Sequence, residues 1–330
     1  MAVTRKESDG SLRICIDPQP LNAVLTWEHF KMPTLDDVLP SLHNARVFTK
    51  LDVKEAFWHV CLDEQSSLLT TMITLFGRFR WARLPFGLSV SSEIFQKRLT
   101  EALGGLKGVI CVADDIIVVG RGDTQAEAEK DHSENLSGLQ NRCKEKNIKL
   151  NDAKAAIHQD EISFMSHRIS VEGVQPDRSK VAAILDMPPP TDVRGVRRIC
   201  GMVQYLAKFM PNFANDLEPI RALTKKDSVW NWSRECDEAL NAVKRKVTNT
   251  PVLAYFDPEK ELVLQVDSSK DGLGAAILQG GRPIEFASRA LTQAEQKWAQ
   301  IEKDTPSLVF AFERIDQYTC EQVLFVYVLQ

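Results

Sequence analysis

Two adjacent carboxylates, Asp114 and Asp115, interrupt the apolar run 109–119 (VICVADDIIVV). Buried charge of this kind is costly unless it is paired, protonated or bound to a metal. A third carboxylate, Asp52, interrupts another apolar segment, 47–53 (VFTKLDV). If the two segments form neighbouring strands, Asp52 and Asp114 converge at one end of a sheet. Hard oxygen ligands so placed suit Mg²⁺, which takes a few carboxylates together with substrate phosphates. Two such ions can activate an attacking hydroxyl and stabilise a leaving pyrophosphate in an in-line displacement. The competing reading of 109–119 alone is a hairpin with Asp114 and Asp115 at its tip, both in water.

The N-terminus offers the opposite charge. Val3 to Glu7 and Leu12 to Ile16 flank residues 8–11 (SDGS), and Asp-Gly is a type I′ hairpin signal. A two-residue turn at Asp9-Gly10 would set Lys6 opposite Arg13 on one face. Like charges directly opposed destabilise a hairpin unless an anion lies between them. A triphosphate is such an anion. The alternative is two solvated cations on an edge hairpin.

These residues need a frame. Val47 to Val53 reads as a short strand, and Leu68 to Ile73 and Arg78 to Arg83 as paired strands turning at Phe76-Gly77. A helix is expected from about Ser91, with Ile94, Phe95, Leu99 and Leu103 on one stripe and Gly104-Gly105 as its stop. A polar helix follows from about Thr124 to Lys146, then a hairpin of 157–158 and 162–169 around residues 159–161. After Pro188-Pro189-Pro190, Thr191 is an N-cap candidate. Val193, Val196, Ile199, Val203, Leu206 and Met210 then recur at helical spacing. Another helix is expected at about 235–247. From Thr250 the pattern turns to strands, 261–266, 273–278 and 284–287, before a last helix over roughly 293–314.

Composition bounds the class. The 330 residues are 44% hydrophobic and 26% charged, which excludes wholesale disorder. The length suggests about two or three domains. No apolar run approaches the roughly 20 residues of a membrane-spanning helix, so a membrane partner is not expected. Residues 1–10 are too polar for a secretory signal. The seven cysteines are scattered, with no Cys-x-x-Cys pair. That argues against a zinc site and for a reducing, intracellular setting, cytoplasmic or nuclear. The net charge of −4 hides a basic stretch, 191–250, at +4. It could be a phosphate-contacting surface or merely a solvated helix face.

Seven segments, in order, carry a resemblance: 9–17 (DGSLRICID), 51–57 (LDVKEAF), 83–88 (RLPFGL), 112–115 (VADD), 164–167 (FMSH), 206–213 (LAKFMPNF) and 266–274 (VDSSKDGLG). Together they resemble the reverse transcriptase and RNase H region of Gypsy-type LTR retrotransposon polyproteins. The resemblance implies an α+β fold. It consists of a fingers–palm–thumb polymerase, the palm an antiparallel sheet with packed helices, followed by a truncated RNase H-like α/β domain. The implied boundaries are fingers and palm over 1–170, thumb and connection over 171–250, and the RNase H-like domain over 251–330. Relative to the family, the fingers region is expected to be shortened at its start.

Carried over by position, Asp52, Asp114 and Asp115 are the implied catalytic metal ligands, for Mg²⁺ or Mn²⁺. Lys6, Arg13, Phe57, Phe86 and Gly87 are the implied nucleotide contacts. Phe57 would reject a ribose 2′-OH, and Gly87 would allow close backbone approach to the incoming nucleotide. Phe164, Met165 and Ser166 are the implied primer grip. The implied partners are an RNA or DNA template–primer and dNTPs. Three positions depart from the family pattern: Val112 stands where an aromatic is usual, Ser166 where glycine is usual, and Gln19 where arginine is usual.

The RNase H-like part departs further. Asp267 matches the family's first carboxylate. The second should be a Glu, but by register Asp304 stands there. Glu302, about 200° away around a helix, is a poor substitute. Pro306 should kink that helix, and Leu329 occupies the position of the third carboxylate. A vestigial, inactive nuclease site is therefore expected at Asp267 and Asp304. The alternative functional class is a retroelement-derived nucleic-acid-binding protein with little or no chemistry, or a ribonuclease H by family label.

Overall fold

The computed structural model describes residues 2–5, 10, 12–27, 29–225, 228–292, 294–315, 318 and 324–329. Backbone contacts divide the chain into two compact units, 1–162 and 163–330.

The first unit opens with the antiparallel pair β1 (Ala2–Arg5) and β2 (Leu12–Cys15). Thr4, not Lys6, is the partner of Arg13. This register is offset from the one that a two-residue turn centred on Asp9-Gly10 requires. Lys6 and Asp9 lie outside the described residues. Two short helices follow, α1 (Gln19–Asn22) and α2 (Leu35–Val38).

The next strand, β3 (Ala45–Asp52), lies inside a four-stranded sheet. Beyond it, residues 68–69 belong to helix α3 (Glu64–Leu69) rather than to a strand. Asp63 caps this helix by accepting the Ser66 amide proton, and only the small hairpin β4 (Met72–Thr74) and β5 (Gly77–Phe79) remains extended. Helix α4 (Ser91–Leu103) is followed by β6 (Val109–Val112), β7 (Asp115–Arg121), α5 (Gln125–Glu145) and β8 (Ala156–Gln159). Thr124 and Glu127 form a capping box on α5.

This sheet runs β6-β7-β3-β8. Ile116, Ile117, Val118 and Val119 are fully buried, as befits a central strand covered on both faces. Leu51, Ile116 and Val118 pack with Phe95, Leu99 and Leu103 of α4 and Leu139 and Cys143 of α5. Each such side chain contributes about 1.5–3 kcal/mol of burial. The expected hairpin around residues 159–161 does not form. β8 pairs with β3, whereas β9 (Glu161–Phe164) joins a different sheet, β9-β10-β11, with β10 (His167–Ser170) and β11 (Gly173–Pro176).

The second unit continues with α6 (Arg178–Leu185), α7 (Val193–Gln204), α8 (Phe213–Ala222) and α9 (Arg234–Thr248). The N-cap of α7 is Asp192, one residue past the expected Thr191; its carboxylate accepts the Gly195 amide proton at 2.7 Å. A four-stranded sheet follows, built from β12 (Leu262–Ser268), β13 (Gly272–Gln279), β14 (Arg282–Ala290) and, beyond α10 (Gln300–Ile315), β15 (Leu324–Leu329). Its order is β14-β13-β12-β15, with β15 parallel to β12. Helix α10 begins at Gln300, later than the expected 293, and continues through Pro306. No helix among the described residues is long and apolar enough to cross a membrane.

Candidate active site

Asp52 is the last residue of β3 and Asp115 the first of β7, and the two are register partners. Val112 pairs with Asp115, so Ala113 and Asp114 form a two-residue turn. The Val53 amide donates to the Asp114 carbonyl at 2.8 Å, tying the turn to the end of β3. Asp52, Asp114 and Asp115 thereby lie at one end of the same sheet. The tip of the hairpin is Ala113–Asp114, not Asp114–Asp115. Asp114 is exposed while Asp115 is partly buried on the strand.

Two lysines answer this charge. Lys50 Nζ lies 3.1 Å from Asp115 Oδ2, and Lys154 Nζ lies 2.9 Å from Asp52 Oδ2. Asn151 Nδ2 donates to Asp52 Oδ1 at 3.3 Å. Burial pushes the Asp115 carboxyl above its ordinary range; Lys50 opposes this, and Asp114 and Asp52 add to it. The hydrogen bond to Asp52 holds Lys154 above its ordinary value, with further support from the charges of Asp114 and Asp115. Among the described residues no trio of His, Cys, Asp or Glu side chains forms a ready-made metal cage.

Ala113 sits at φ 53°, a conformation that favours glycine at the first position of a II′ turn. Gln96, fully buried on α4, holds it there. Its Oε1 accepts the Ala113 amide proton at 2.6 Å and its Nε2 donates to the Cys111 carbonyl at 3.0 Å. Sequence reasoning missed Gln96. The available signal was a polar residue adjoining the apolar stripe of α4.

Phe57 lies in the 3₁₀ turn Ala56–His59, behind Glu55 at φ 54°. Its ring is 4.8 Å from that of Phe86 and 5.9 Å from that of Phe95. Two of the expected nucleotide contacts are thus adjacent, and Phe57 is also packed against a core aromatic. Gly87 has a nearer constraint than a nucleotide. At φ 111°, a Cβ there would fall 2.0 Å from the Ile16 carbonyl oxygen. The Ile16 amide donates to the Phe86 carbonyl at 2.9 Å, and Asn22 bonds to both Gly87 and Ser89. The close backbone approach is the chain's own.

In the second unit, Phe164 is buried, and Met165 and Ser166 both have positive φ, 46° and 62°. Two successive positive φ values between β9 and β10 fit a type I′ turn, where glycine would carry no steric penalty. His167 Nδ1 donates to the Met165 carbonyl at 2.8 Å. Asp177 braces the same turn: its amide donates to the Ser166 carbonyl, and its carboxylate accepts from Ser163 and Ser179. Hydrogen bonds from Ser179, then Ser163, hold its carboxyl down to about 2.

Asp267 and Asp304, the expected vestigial nuclease residues, both accept side-chain hydrogen bonds. Asn212 Nδ2 donates to Asp267 Oδ2 at 3.3 Å, and Ser268 Oγ donates to Asp304 Oδ1 at 2.6 Å. Leu329 is the register partner of Asp267 across β12 and β15. Glu302 instead accepts the Ala299 amide proton at the start of α10.

Residues 4–169, just over half of the chain, match the family model described as reverse transcriptase (RNA-dependent DNA polymerase). The chain belongs to this reverse transcriptase family. Residues 232–326 match the RNase H-like domain found in reverse transcriptase. The chain is 31% identical over 328 residues to the retrovirus-related Pol polyprotein from transposon 412 of Drosophila melanogaster, covering 96% of this chain and 26% of that protein. It is 30% identical over 323 residues to the corresponding polyprotein from transposon 297, covering 96% and 30%. The chain therefore spans less than a third of the length of these relatives. Among solved structures, a foamy viral protease–reverse transcriptase dRH in complex with double-stranded DNA matches with a TM-score of 0.90. The identity is 21%, over 99% of this chain and 57% of that one. A second foamy viral protease–reverse transcriptase, in complex with RNA/DNA hybrid, matches with a TM-score of 0.81 at 20% identity, over 99% and 44%. These reverse transcriptase likenesses show the fold.

Proposed function

We propose that this reverse transcriptase segment carries RNA-directed DNA synthesis: a primer 3′-hydroxyl attacks the α-phosphate of a dNTP, and pyrophosphate leaves. The register pairing of Asp52 with Asp115, with Asp114 in the adjoining turn, carries this reading. Asp52, Asp114 and Asp115 would hold Mg²⁺ or Mn²⁺, which supplies hydroxyl activation and charge neutralisation on the phosphates. Lys50 and Lys154 keep the carboxylates paired before substrate arrives. Phe57 and Phe86 line the nucleotide side, with Lys6 and Arg13 assigned there from the family pattern. The 164–166 turn grips the primer. The working division is fingers and palm over 1–170, thumb and connection over 171–250, and the RNase H-like domain over 251–330.

Duplex template–primer is the proposed partner. Arg194, Arg197 and Arg198 are exposed on α7 and offer phosphate contacts. The test is primer extension on poly(rA)/oligo(dT) with Mg²⁺ or Mn²⁺. Wild type should incorporate dTTP and Asp114→Asn should not; equal, background-level incorporation by both rejects the reading. The RNase H-like domain is proposed to be inactive, because Asp267 and Asp304 lack a third carboxylate partner at 329.

A further inference from the structure

The first unit holds a second built feature that the polymerase reading leaves unused. An open cavity of about 680 Å³ lies between the 3₁₀ turn at 56–59, helix α4 and the segment 146–149. Its size is that of a small-molecule site. Lys54, Arg83, Arg98, Lys146 and Lys149 line it, against one lining carboxylate, Glu55. Glu101 answers Arg98 at 3.3 Å and Glu145 answers Lys146 at 3.2 Å. Lys54, Arg83 and Lys149 have no carboxylate partner within salt-bridge distance among the described residues.

The walls are preorganised. The Lys149 amide donates to His59 Nε2 at 3.0 Å, and His59 Nδ1 donates to the Ala56 carbonyl at 3.2 Å. The ring is therefore neutral in this arrangement and joins two segments far apart in sequence. Arg83 Nη1 is fixed 2.7 Å from Cys61 Sγ. Trp58, 37% exposed, adds a flat aromatic wall. Three unanswered cations around one cavity repel one another until an anion enters, and an exposed indole stacks on a planar base.

We propose that this cavity binds a nucleotide phosphate, separate from the nucleotide side lined by Phe57 and Phe86. The phosphate belongs either to a free nucleotide or to a strand of nucleic acid; both present the same chemistry to Lys54, Arg83 and Lys149. The site needs no metal and no Asp114, so it is tested in the Asp114→Asn chain without divalent ions. A failed polymerase reading leaves it untouched.

Cys61, exposed at the rim, is the reporter. Its alkylation by N-ethylmaleimide is followed by peptide mass spectrometry, with Cys15 and Cys200 as internal controls. Millimolar ATP should slow modification of Cys61 at least fivefold, adenosine should not, and the controls should not change. Lys54→Gln and Lys149→Gln should each raise the ATP midpoint about tenfold, and Lys149→Glu should abolish protection; both lysines are exposed. Protection by single-stranded oligo(rA) at far lower concentration than ATP identifies a strand as the source, and the reverse identifies the free nucleotide. No protection by any phosphate ligand, equal protection by adenosine, or protection unchanged in the lysine variants overturns the proposal.

Discussion

Lys50 Nζ stands 3.1 Å from Asp115 Oδ2, two residues before Asp52 on the same strand. The pair keeps a partly buried carboxylate neutralised in the absence of any other cation. Lys50→Met should lower stability by about 1–3 kcal/mol, because the charge left behind is partly desolvated. It should also enlarge the rise in Tm produced by Mg²⁺, since a competing cation is gone. Calorimetry of both proteins with and without Mg²⁺ checks this.

Burial raises the Asp115 carboxyl, and this has a defined sign. On acidification the folded state takes up this proton before the unfolded state does, so the group favours folding as pH falls. Metal needs the ionised form. The Mg²⁺-induced rise in Tm should therefore fade with acidification while an ordinary aspartate would still be ionised. Asp115→Asn should lack that fade.

Gln96 holds the Ala113 turn from within the core. Gln96→Leu removes both of its bonds and leaves the Ala113 amide and Cys111 carbonyl without it, at a cost of about 2–4 kcal/mol. Ala113→Gly should instead gain about 1 kcal/mol, because glycine meets no penalty at positive φ. Urea unfolding of the two variants should move in opposite directions.

Gly87 and Ser166 make a matched pair. Gly87→Ala places a Cβ 2.0 Å from the Ile16 carbonyl oxygen and should cost more than about 2 kcal/mol. Ser166→Gly relieves φ 62° and should gain about 0.5–1 kcal/mol. Denaturant midpoints measure both.

Asp177 is held down to about 2 by its hydroxyl and amide donors. A depressed carboxyl contributes stability that is complete above the ordinary value of 3.8 and lost as pH falls toward 2. The second unit should therefore weaken through that window, and Asp177→Asn should flatten the dependence. Thermal unfolding from pH 5 to pH 2 follows it.

Much was legible in the chain itself. Asp114 and Asp115 inside an eleven-residue apolar run, and Asp52 in another, could only be strand ends bearing functional charge or a wet turn. The helical stripe of Phe95, Leu99 and Leu103 and the polar stretch from about Thr124 to Lys146 are local signals, and the corresponding helices formed. The ordered motifs carried the family. Local periodicity cannot report which strand pairs with which. It therefore misassigned β8 and β9 as one hairpin and set Arg13 opposite Lys6. Tertiary structure alone decided that Asp52 meets Asp115, that Lys50 and Lys154 neutralise them, and that Gly87 makes room for Ile16. Such contacts join residues 60 or more positions apart, and their energy exists only after the sheet has closed and water has left it.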